Sequence, residues 1–206
     1  MSTQRRRVLE DSKKLIIPAD GVYIEGLDRK AYTVDEWQGG YAANSVIVAS
    51  GDVKFRIALT QASSIMAISS SYEDPLENYM RAIPSVTKAL ADYNGAGNTA
   101  KILQMQPSTG YAAGYCDAFI FPDGKTMGYL PSLGQLNLAC QNKMDVDAAL
   151  SKCGGTAMAD SYYWSSTFWG VDDISRHCWF LYWRHGTVRN FYLDGRYDVR
   201  PFADIS

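Results

Sequence analysis

The sequence lacks the features that identify membrane-spanning, nucleic-acid-binding and metal-binding proteins. No apolar run approaches the roughly 18–20 residues that a membrane-spanning helix needs. The 20 Lys and Arg are offset by 22 Asp and Glu, for a formal net charge of −2, whereas nucleic-acid binders are usually strongly basic. The four cysteines form no CxxC or Cys–His spacing of a metal site. These absences predict no nucleic-acid partner, no membrane insertion, no metal and no cofactor.

The first residues, MSTQRRRVLEDSKKL, contain no apolar segment of the kind found in a signal peptide. The expected place of synthesis is therefore a bacterial cytoplasm, unless a leader precedes this sequence. The basic cluster in the same stretch is typical of a solvated terminus, and residues 1–17 are expected to form a flexible arm.

The last 46 residues, 161–206, contain no Lys, Glu, Gln or Met, although the first 160 contain 28 residues of these four types. By proportion, about eight would be expected in this tail. The tail also holds 13 of the 26 aromatic residues, five of the 11 arginines and both histidines. A bias this strong indicates that a specific process shaped the tail.

Short strands are expected after Pro18, because the segments GVYIEG, KAYTV, NSVIVAS and DVKFRIAL are separated by Gly and Asp turn signals. In VKFRIAL, apolar Val53, Phe55 and Ile57 alternate with Lys54 and Arg56. This period predicts a half-buried strand with the two cations on its polar face.

Helices are expected in the middle of the chain, after an irregular Ser-rich loop over 60–84. The segment NGAGN at 94–98 is interpreted as a turn between two helices, and the segment 115–131 as a hairpin that turns at Asp123-Gly124. The predicted helices are Ser85–Tyr93, Thr99–Gln106, a helix capped by Ser132 and a shorter one capped by Asp145.

Strands return in the tail at about 177–183, 187–193 and 197–202. In the first of these, Trp179, Leu181 and Trp183 are expected to point one way, and Cys178 and Phe180 the other. The order of strands, helices and strands predicts an α+β domain with an antiparallel sheet and segregated helices.

The number of aromatic residues in the tail exceeds what the core of a two-layer domain needs. Phe180, Tyr182, Phe191 and Tyr192 are not expected to face inward together. Because Tyr, Trp and Arg are enriched where proteins bind other molecules, this pattern predicts an exposed binding surface.

Catalytic and metal sites are poorly supported. Cys178 adjoins His177, but neighbouring residues of a strand face opposite sides, and no GxSxG motif exists. Asp172 and Asp173 beside His177 match no metal-binding motif. The sequence therefore predicts a protein that is not an enzyme, with free thiols; a Cys140–Cys153 disulfide remains open.

The segments YWSST at 163–167, WFLYW at 179–183 and the ending VRPF at 199–202 resemble the C-terminal motifs of C-type-lectin-fold proteins. More narrowly, with PADGVYIEG, AAGYC, FPDGKTMGYLPSLGQL and ALSKCGGTA, the chain resembles variable proteins of diversity-generating retroelements, common in gut bacteria of the Bacteroides type and their phages. The resemblance covers about residues 18–206. The chain departs from two groups that share this fold. It lacks the EPN, QPD and WND calcium motifs of animal lectins and the paired catalytic cysteines of formylglycine-generating enzymes.

The resemblance implies a C-type lectin fold with an N-terminal β-rich segment over 18–50, a lectin-like domain over 51–206 and a variable region at about 168–198. It also implies that adenines of AAC or AAT codons are randomised. Such codons still end in C or T and cannot encode Lys, Glu, Gln, Met or Trp, which agrees with the missing residue types. Trp164, Trp179 and Trp183 would then be fixed and buried. The Val199–Phe202 strand would lie beside the strand near 53–59.

The function implied is that of a receptor-binding protein with a hypervariable binding surface. Its expected partner is a protein or glycan receptor on a cell surface. The expected place is the tip of a phage tail fibre, with a homotrimer as a possible assembly. The localisation implied is the virion. A bacterial surface adhesin whose leader was removed, or a formylglycine-generating type of enzyme, are the alternatives. The expected binding residues share exposure on one surface. They are Phe168, Asp172, Asp173, Arg176, His177, Phe180, Tyr182, Arg184, His185, Arg189, Phe191, Tyr192, Arg196 and Tyr197.

Overall fold

The computed structural model describes residues 15–170 and 176–205, and it shows mixed helix and antiparallel sheet, as the predicted α+β class requires. The strands are β1 (Gly21–Gly26), β2 (Ala31–Tyr32), β3 (Ala43–Ser50), β4 (Val53–Ile57), β5 (Tyr162–Trp169), β6 (His177–Tyr182), β7 (Thr187–Tyr192) and β8 (Phe202–Asp204). The helices are α1 (Val86–Leu90), α2 (Gly95–Met105), α3 (Ala112–Asp117), α4 (Leu133–Gln141) and α5 (Lys143–Lys152), besides a 3-10 turn at Leu76–Asn78.

The first sheet has the order β2-β1-β3-β4-β8 and joins the early strands to the last one. Ile57 of β4 pairs with Phe202 of β8, and the amide of Ala58 donates to the carbonyl of Pro201 over 2.9 Å. The prediction that the end of the chain lies beside the strand near 53–59 is confirmed. The proposed boundary between 50 and 51 falls inside the β3–β4 hairpin of this one sheet.

The second sheet has the order β5-β6-β7, so β6 is central and β7 is an edge strand. A parallel bridge between Tyr163 and Asp198 closes the chain segment that contains both β6 and β7. The amide of Trp164 donates to the carbonyl of Asp198 over 3.1 Å, and the amide of Asp198 donates to the carbonyl of Tyr162 over 2.9 Å. The segment 163–198 therefore begins and ends at one point of the structure.

Apolar clusters cover both faces of β6, the central strand of the second sheet. One cluster joins Trp179, Leu181 and Trp183 to side chains of the first sheet, α4 and α5. The other joins Cys178 and Phe180 to side chains of α2, α3 and the 60–84 loop. The predicted alternation along β6 and the burial of the tryptophans are confirmed.

The expectation that Phe168 of β5 and Phe180 of β6 lie on an exposed face of the second sheet is wrong. Phe168 and Phe180 are 2% and 5% exposed. The physical reason is that the loop over 60–84 is folded onto this face, where Ile68, Leu76 and Met80 contact the cluster. A chain region that appears irregular in sequence thus covers this face of the sheet together with α2 and α3.

The helix ends follow local side-chain chemistry, and two of the predicted ends are wrong. Ser132 and Gln135 form a capping box at α4, as the sequence predicts for Ser132. The NGAGN segment is not a turn, because α2 begins at Gly95 with Asn94 as its N-cap. α5 begins at Lys143, so Asp145 lies in its first turn and is not its cap, where a carboxylate is favourable for the helix dipole.

The predicted hairpin of 115–131 is reduced to one bridge. Its first residues belong to α3. Beyond the helix, Ile120 and Met127 form the one described bridge within the segment, around a turn where Gly124 has a φ of 70°, whereas Tyr129 bridges to Phe202. This φ is one that glycine adopts without a steric penalty. The Asp123-Gly124 turn itself is confirmed.

Arg56 is buried, in contrast to the predicted exposure of the polar face of β4. Its guanidinium forms a bidentate ion pair with Glu25, at 2.7 Å from Nε to Oε2 and 3.0 Å from Nη2 to Oε1. Asn44 and Ser45 also donate to Glu25 Oε2, at 2.8 and 2.6 Å. A buried charge is tolerated when it is paired and hydrogen-bonded, and the alternation of apolar and charged residues carries no information about such a partner.

The start of the described chain packs onto the first sheet. Leu15 and Ile17 pack against Tyr23 and Ile47, so the predicted flexible arm does not include them, and residues 1–14 lie outside the described residues. In the parts of the chain that the structure covers, no helix has the length and apolar character needed to cross a membrane.

Candidate binding surface

Six aromatic rings form a continuous line on the surface beside the edge strand β7. We call this line the aromatic strip. Successive ring centroids lie 4.6, 5.7, 6.0, 5.8 and 5.6 Å apart. In spatial order the strip consists of Tyr182, Tyr162, Tyr197, Phe191, Tyr192 and Tyr72.

Four of the six rings of the strip are exposed to solvent. Tyr162, Phe191, Tyr192 and Tyr72 have exposed fractions of 42%, 44%, 46% and 50%. The remaining two rings are half-buried. A contiguous exposed apolar patch on a folded protein marks an interaction site more often than scattered exposed rings do.

Buried rings support the strip from below. The ring of Phe180 lies 4.6 Å from that of Tyr197 and 5.4 Å from that of Tyr162. The ring of Trp164 lies 4.7 Å from Tyr197, and its indole Nε1 donates to the carbonyl of Met66 over 2.9 Å. The strip thus rests on side chains whose positions are fixed by packing, which lowers the entropy lost when it binds a partner.

Arginines surround the strip. Arg184 forms an exposed ion pair with Asp160 at 3.3 Å, and Arg176 forms a half-buried one with Glu77 at 3.0 Å. Arg189 and Arg196 are exposed and form no ion pair with any residue in 15–170 or 176–205. Two guanidinium groups are therefore available to a bound partner.

His177 lies at the start of β6 between two aromatic rings. Its ring stacks on Trp169 at 4.9 Å and meets the edge of Tyr192 at 4.2 Å. Its Nδ1 lies 2.8 Å from Asn190 Oδ1, while its buried Nε2 has no partner among the described residues. His177 therefore orders the end of the strip rather than presenting its own ring to solvent.

Two phenols of the strip, those of Tyr72 and Tyr197, have a raised pKa. The carboxylate of Glu73 raises the pKa of Tyr72, and burial raises the pKa of Tyr197. Both hydroxyls can therefore donate hydrogen bonds as well as accept them.

The structure gathers most of the predicted binding residues around β6, β7 and the adjoining turns, on both faces of the second sheet, because Phe191 lies on the face of Cys178 and Tyr192 on that of His177. The exposed ones are Arg184, His185, Arg189, Phe191, Tyr192 and Arg196, and the half-buried ones are Arg176, His177, Tyr182 and Tyr197. The buried Phe168 and Phe180 support the surface and do not form it. Asp172 and Asp173 lie outside the described residues.

Sequence reasoning missed two members of the strip, Tyr72 and Tyr162. Tyr162 begins the YYWSST segment, and the alternation of β5 would have placed it on the same face as Trp164. Tyr72 gave no signal, because it belongs to the irregular 60–84 loop and reaches the strip only through tertiary packing against Tyr192.

The thiols do not resemble a nucleophilic site. All four cysteines are free, so the Cys140–Cys153 disulfide does not form. Cys178 is fully buried, and burial raises the pKa of its thiol. A reactive cysteine needs a lowered pKa and solvent access. His177 is the neighbouring residue in β6, but its side chain lies on the opposite face of the sheet from the Cys178 thiol.

No family model, curated protein or solved structure gave a match to this chain. The α+β class rests on the arrangement of strands and helices described above. The assignment of function therefore depends on the residues of the chain and their geometry.

Proposed function

We propose that this protein is a non-enzymatic ligand-binding protein that uses the aromatic strip and the surrounding arginines to bind a receptor on a cell surface. The observation that carries the proposal is the unbroken line of six rings, of which Phe191 and Tyr192 belong to the edge strand β7. Aromatic and arginine side chains are the commonest sources of binding energy at protein interfaces. They offer large contact areas with few rotatable bonds.

The finer fold assignment is a C-type lectin fold, proposed from the resemblance of the YWSST, WFLYW and VRPF segments. The pairing of β4 with β8, which joins early and late strands of the chain, supports it. So does the burial of Trp164, Trp179 and Trp183 at the positions where the resemblance places fixed residues.

The residue types of the surface support diversification by adenine-directed mutagenesis. The members of the strip and its neighbours that lie in the tail are Tyr, Phe, Arg and His, all of which codons ending in C or T can encode. Tryptophan, which such codons cannot encode, occupies buried positions at 164, 179 and 183. Substitution at an exposed site usually changes stability by less than about 0.5 kcal/mol, so the exposed sites are the ones that can vary.

In this proposal the protein is displayed at a phage tail-fibre tip, with a homotrimer as the proposed assembly. Several copies on one fibre would increase the overall affinity without new contacts, because the second binding event becomes intramolecular. A bacterial surface adhesin would use the same surface.

The test uses fluorescently labelled protein and intact cells from a panel of gut bacteria, measured by flow cytometry. A strip variant carries Tyr72→Ser, Tyr162→Ser, Phe191→Ser and Tyr192→Ser. We expect the wild type to stain at least one strain. The strip variant should stain that strain at least about tenfold more weakly.

The matched control changes four exposed apolar residues away from the strip. It carries Tyr41→Ser, Tyr93→Ser, Ile120→Ser and Met144→Ser, and should stain like the wild type. Equal staining by the strip variant, or no staining of any strain by the wild type at micromolar concentration, would contradict the proposal.

The surrounding DNA gives an independent test of diversification. We expect a near-copy of codons 160–206 with AAC or AAT at the divergent positions, beside a reverse transcriptase gene. A genomic sequence without such a repeat would contradict diversification by a retroelement. The proposed binding surface would still be tested by cell staining.

A further inference from the structure

A cavity of about 540 Å³ lies outside the aromatic strip, between the 80–85 segment, α1 and the first turns of α2. This volume is within the range of sites that bind small molecules. It is lined by apolar residues of the 80–84 segment and by the charged residues Arg81, Lys88, Asp92 and Lys101.

Three cations line the cavity, and none has an anionic partner among the described residues. Arg81, Lys88 and Lys101 come from different elements, and none of them forms an ion pair within 15–170 or 176–205. One carboxylate, that of Asp92, lies in the same wall. The lining residues therefore carry a formal charge of +2.

The Asp92 carboxylate is already engaged by the protein. Its Oδ1 accepts from the amide of Asn94 at 3.0 Å. Its Oδ2 accepts from Asn98 Nδ2 at 2.8 Å and from Thr167 Oγ1 at 2.7 Å. These bonds fix Asp92 as a wall of the cavity, so its charge is not free to pair with the three cations.

The opposite wall is also held in place. The amide of Ile83 donates to the carbonyl of Phe168 over 2.8 Å, and the indole Nε1 of Trp179 donates to the carbonyl of Ile83 over 2.8 Å. These two bonds attach the 80–84 segment to β5 and β6. Binding in the cavity therefore requires little reordering of the backbone, which favours affinity.

We propose that this cavity binds a small phosphate monoester in its dianionic form. A phosphate dianion neutralises the +2 charge of the lining and accepts charge-assisted hydrogen bonds from the ammonium and guanidinium groups. The apolar residues of the wall, Met80, Ala82, Ile83 and Pro84, contact the organic part of the ester. The site is independent of the receptor-binding surface.

The test is isothermal titration of the whole chain with phenyl phosphate at pH 7.5 and low salt. The cavity variant carries Arg81→Gln, Lys88→Gln and Lys101→Gln. We expect binding to weaken about tenfold or more, because each lost charge-assisted hydrogen bond weakens binding by roughly a factor of ten. An unchanged thermal midpoint shows that the variant is folded.

The matched control removes three exposed charges outside both sites, by Lys30→Gln, Lys54→Gln and Lys152→Gln, and should bind phenyl phosphate like the wild type. The two proposals can fail separately. If the wild type stains no strain but still binds phenyl phosphate, the receptor proposal is rejected and this one stands.

The charge of the ligand provides the second readout. The second ionisation of a phosphate monoester has a pKa of about 6, so affinity should fall as the pH is lowered from 7.5 to 5.5. Phenyl sulfate, with one charge, should bind more weakly, and benzyl alcohol should not bind. Equal affinity for phenyl phosphate and phenyl sulfate, an equal loss in the control variant, or no binding at millimolar phenyl phosphate would overturn the proposal.

Discussion

β6 and β7 are neighbours in one sheet, rich in aromatic residues, yet their side chains have opposite environments. Four consecutive residues of β6 are buried, whereas no residue of β7 is buried. The difference comes from position, because β6 has a strand on each side and an apolar cluster on each face, while β7 has one neighbour. Composition alone therefore does not separate an aromatic core from an aromatic surface.

The largest effect is expected at the centre of β6. Trp179→Ala removes a buried ring and its hydrogen bond to the Ile83 carbonyl, and should lower the free energy of unfolding by about 3–5 kcal/mol. Chemical denaturation followed by circular dichroism measures it. Tyr192→Ala on β7 is the control and should change stability far less; equal losses would show that the two strands do not differ as described.

A smaller loss of stability is expected when a polar group is introduced into the buried side of β6. Cys178→Ser places a hydroxyl in a fully buried apolar site and should cost about 1–3 kcal/mol. The same exchange at the half-buried Cys153 is the matched control and should cost less than about 1 kcal/mol. A neutral Cys178→Ser would indicate a polar or hydrated second face of β6. Thermal unfolding of the two variants gives the comparison.

A substitution in the edge strand β7 should weaken binding without lowering the stability of the protein. Phe191→Ser should change the free energy of unfolding by about 0.5 kcal/mol or less and still reduce staining of a responsive strain, because Phe191 lies in the middle of the aromatic strip. Phe180→Ser, one strand away, should destabilise the protein. Denaturant titration and cell staining are measured on both variants, and a strongly destabilised Phe191→Ser would show that the strip belongs to the core.

The smallest effect is expected in the turn between the two strands. Arg184→Gln breaks the exposed ion pair with Asp160, and such pairs contribute roughly 0–1 kcal/mol. We expect a change in the free energy of unfolding within about 0.5 kcal/mol by denaturant titration. A larger loss would mean that the ion pair stabilises the turn in addition to the backbone hydrogen bonds that His185 and Gly186 donate to Tyr182.

Much of this arrangement could be predicted from the sequence. Strict alternation places Trp179 and Trp183 on one side of β6, the Ser132 cap begins α4, and the Arg-His-Gly turn separates β6 from β7. These features depend on neighbours in the chain. Local sequence patterns are most informative about such features.

What could not be predicted depends on contacts between distant segments. Phe180 is buried because the 60–84 loop covers it, and Arg56 is buried because Glu25 pairs with it from another strand. Tyr72 joins the strip only after the chain has folded. No local period in the sequence indicates any of these partners.

The bridge between Tyr163 and Asp198 has a consequence for how the protein can change in length. Because the segment 163–198 leaves and re-enters the fold at one place, extra residues inserted in the turn after β6 would enlarge a closed loop without separating the two sheets. The entropy of closing a flexible loop rises slowly, by about 0.6 kcal/mol for each doubling of its length. Insertions there should therefore be tolerated, so that the protein can acquire deeper or longer recognition loops while the rest of the molecule keeps its shape.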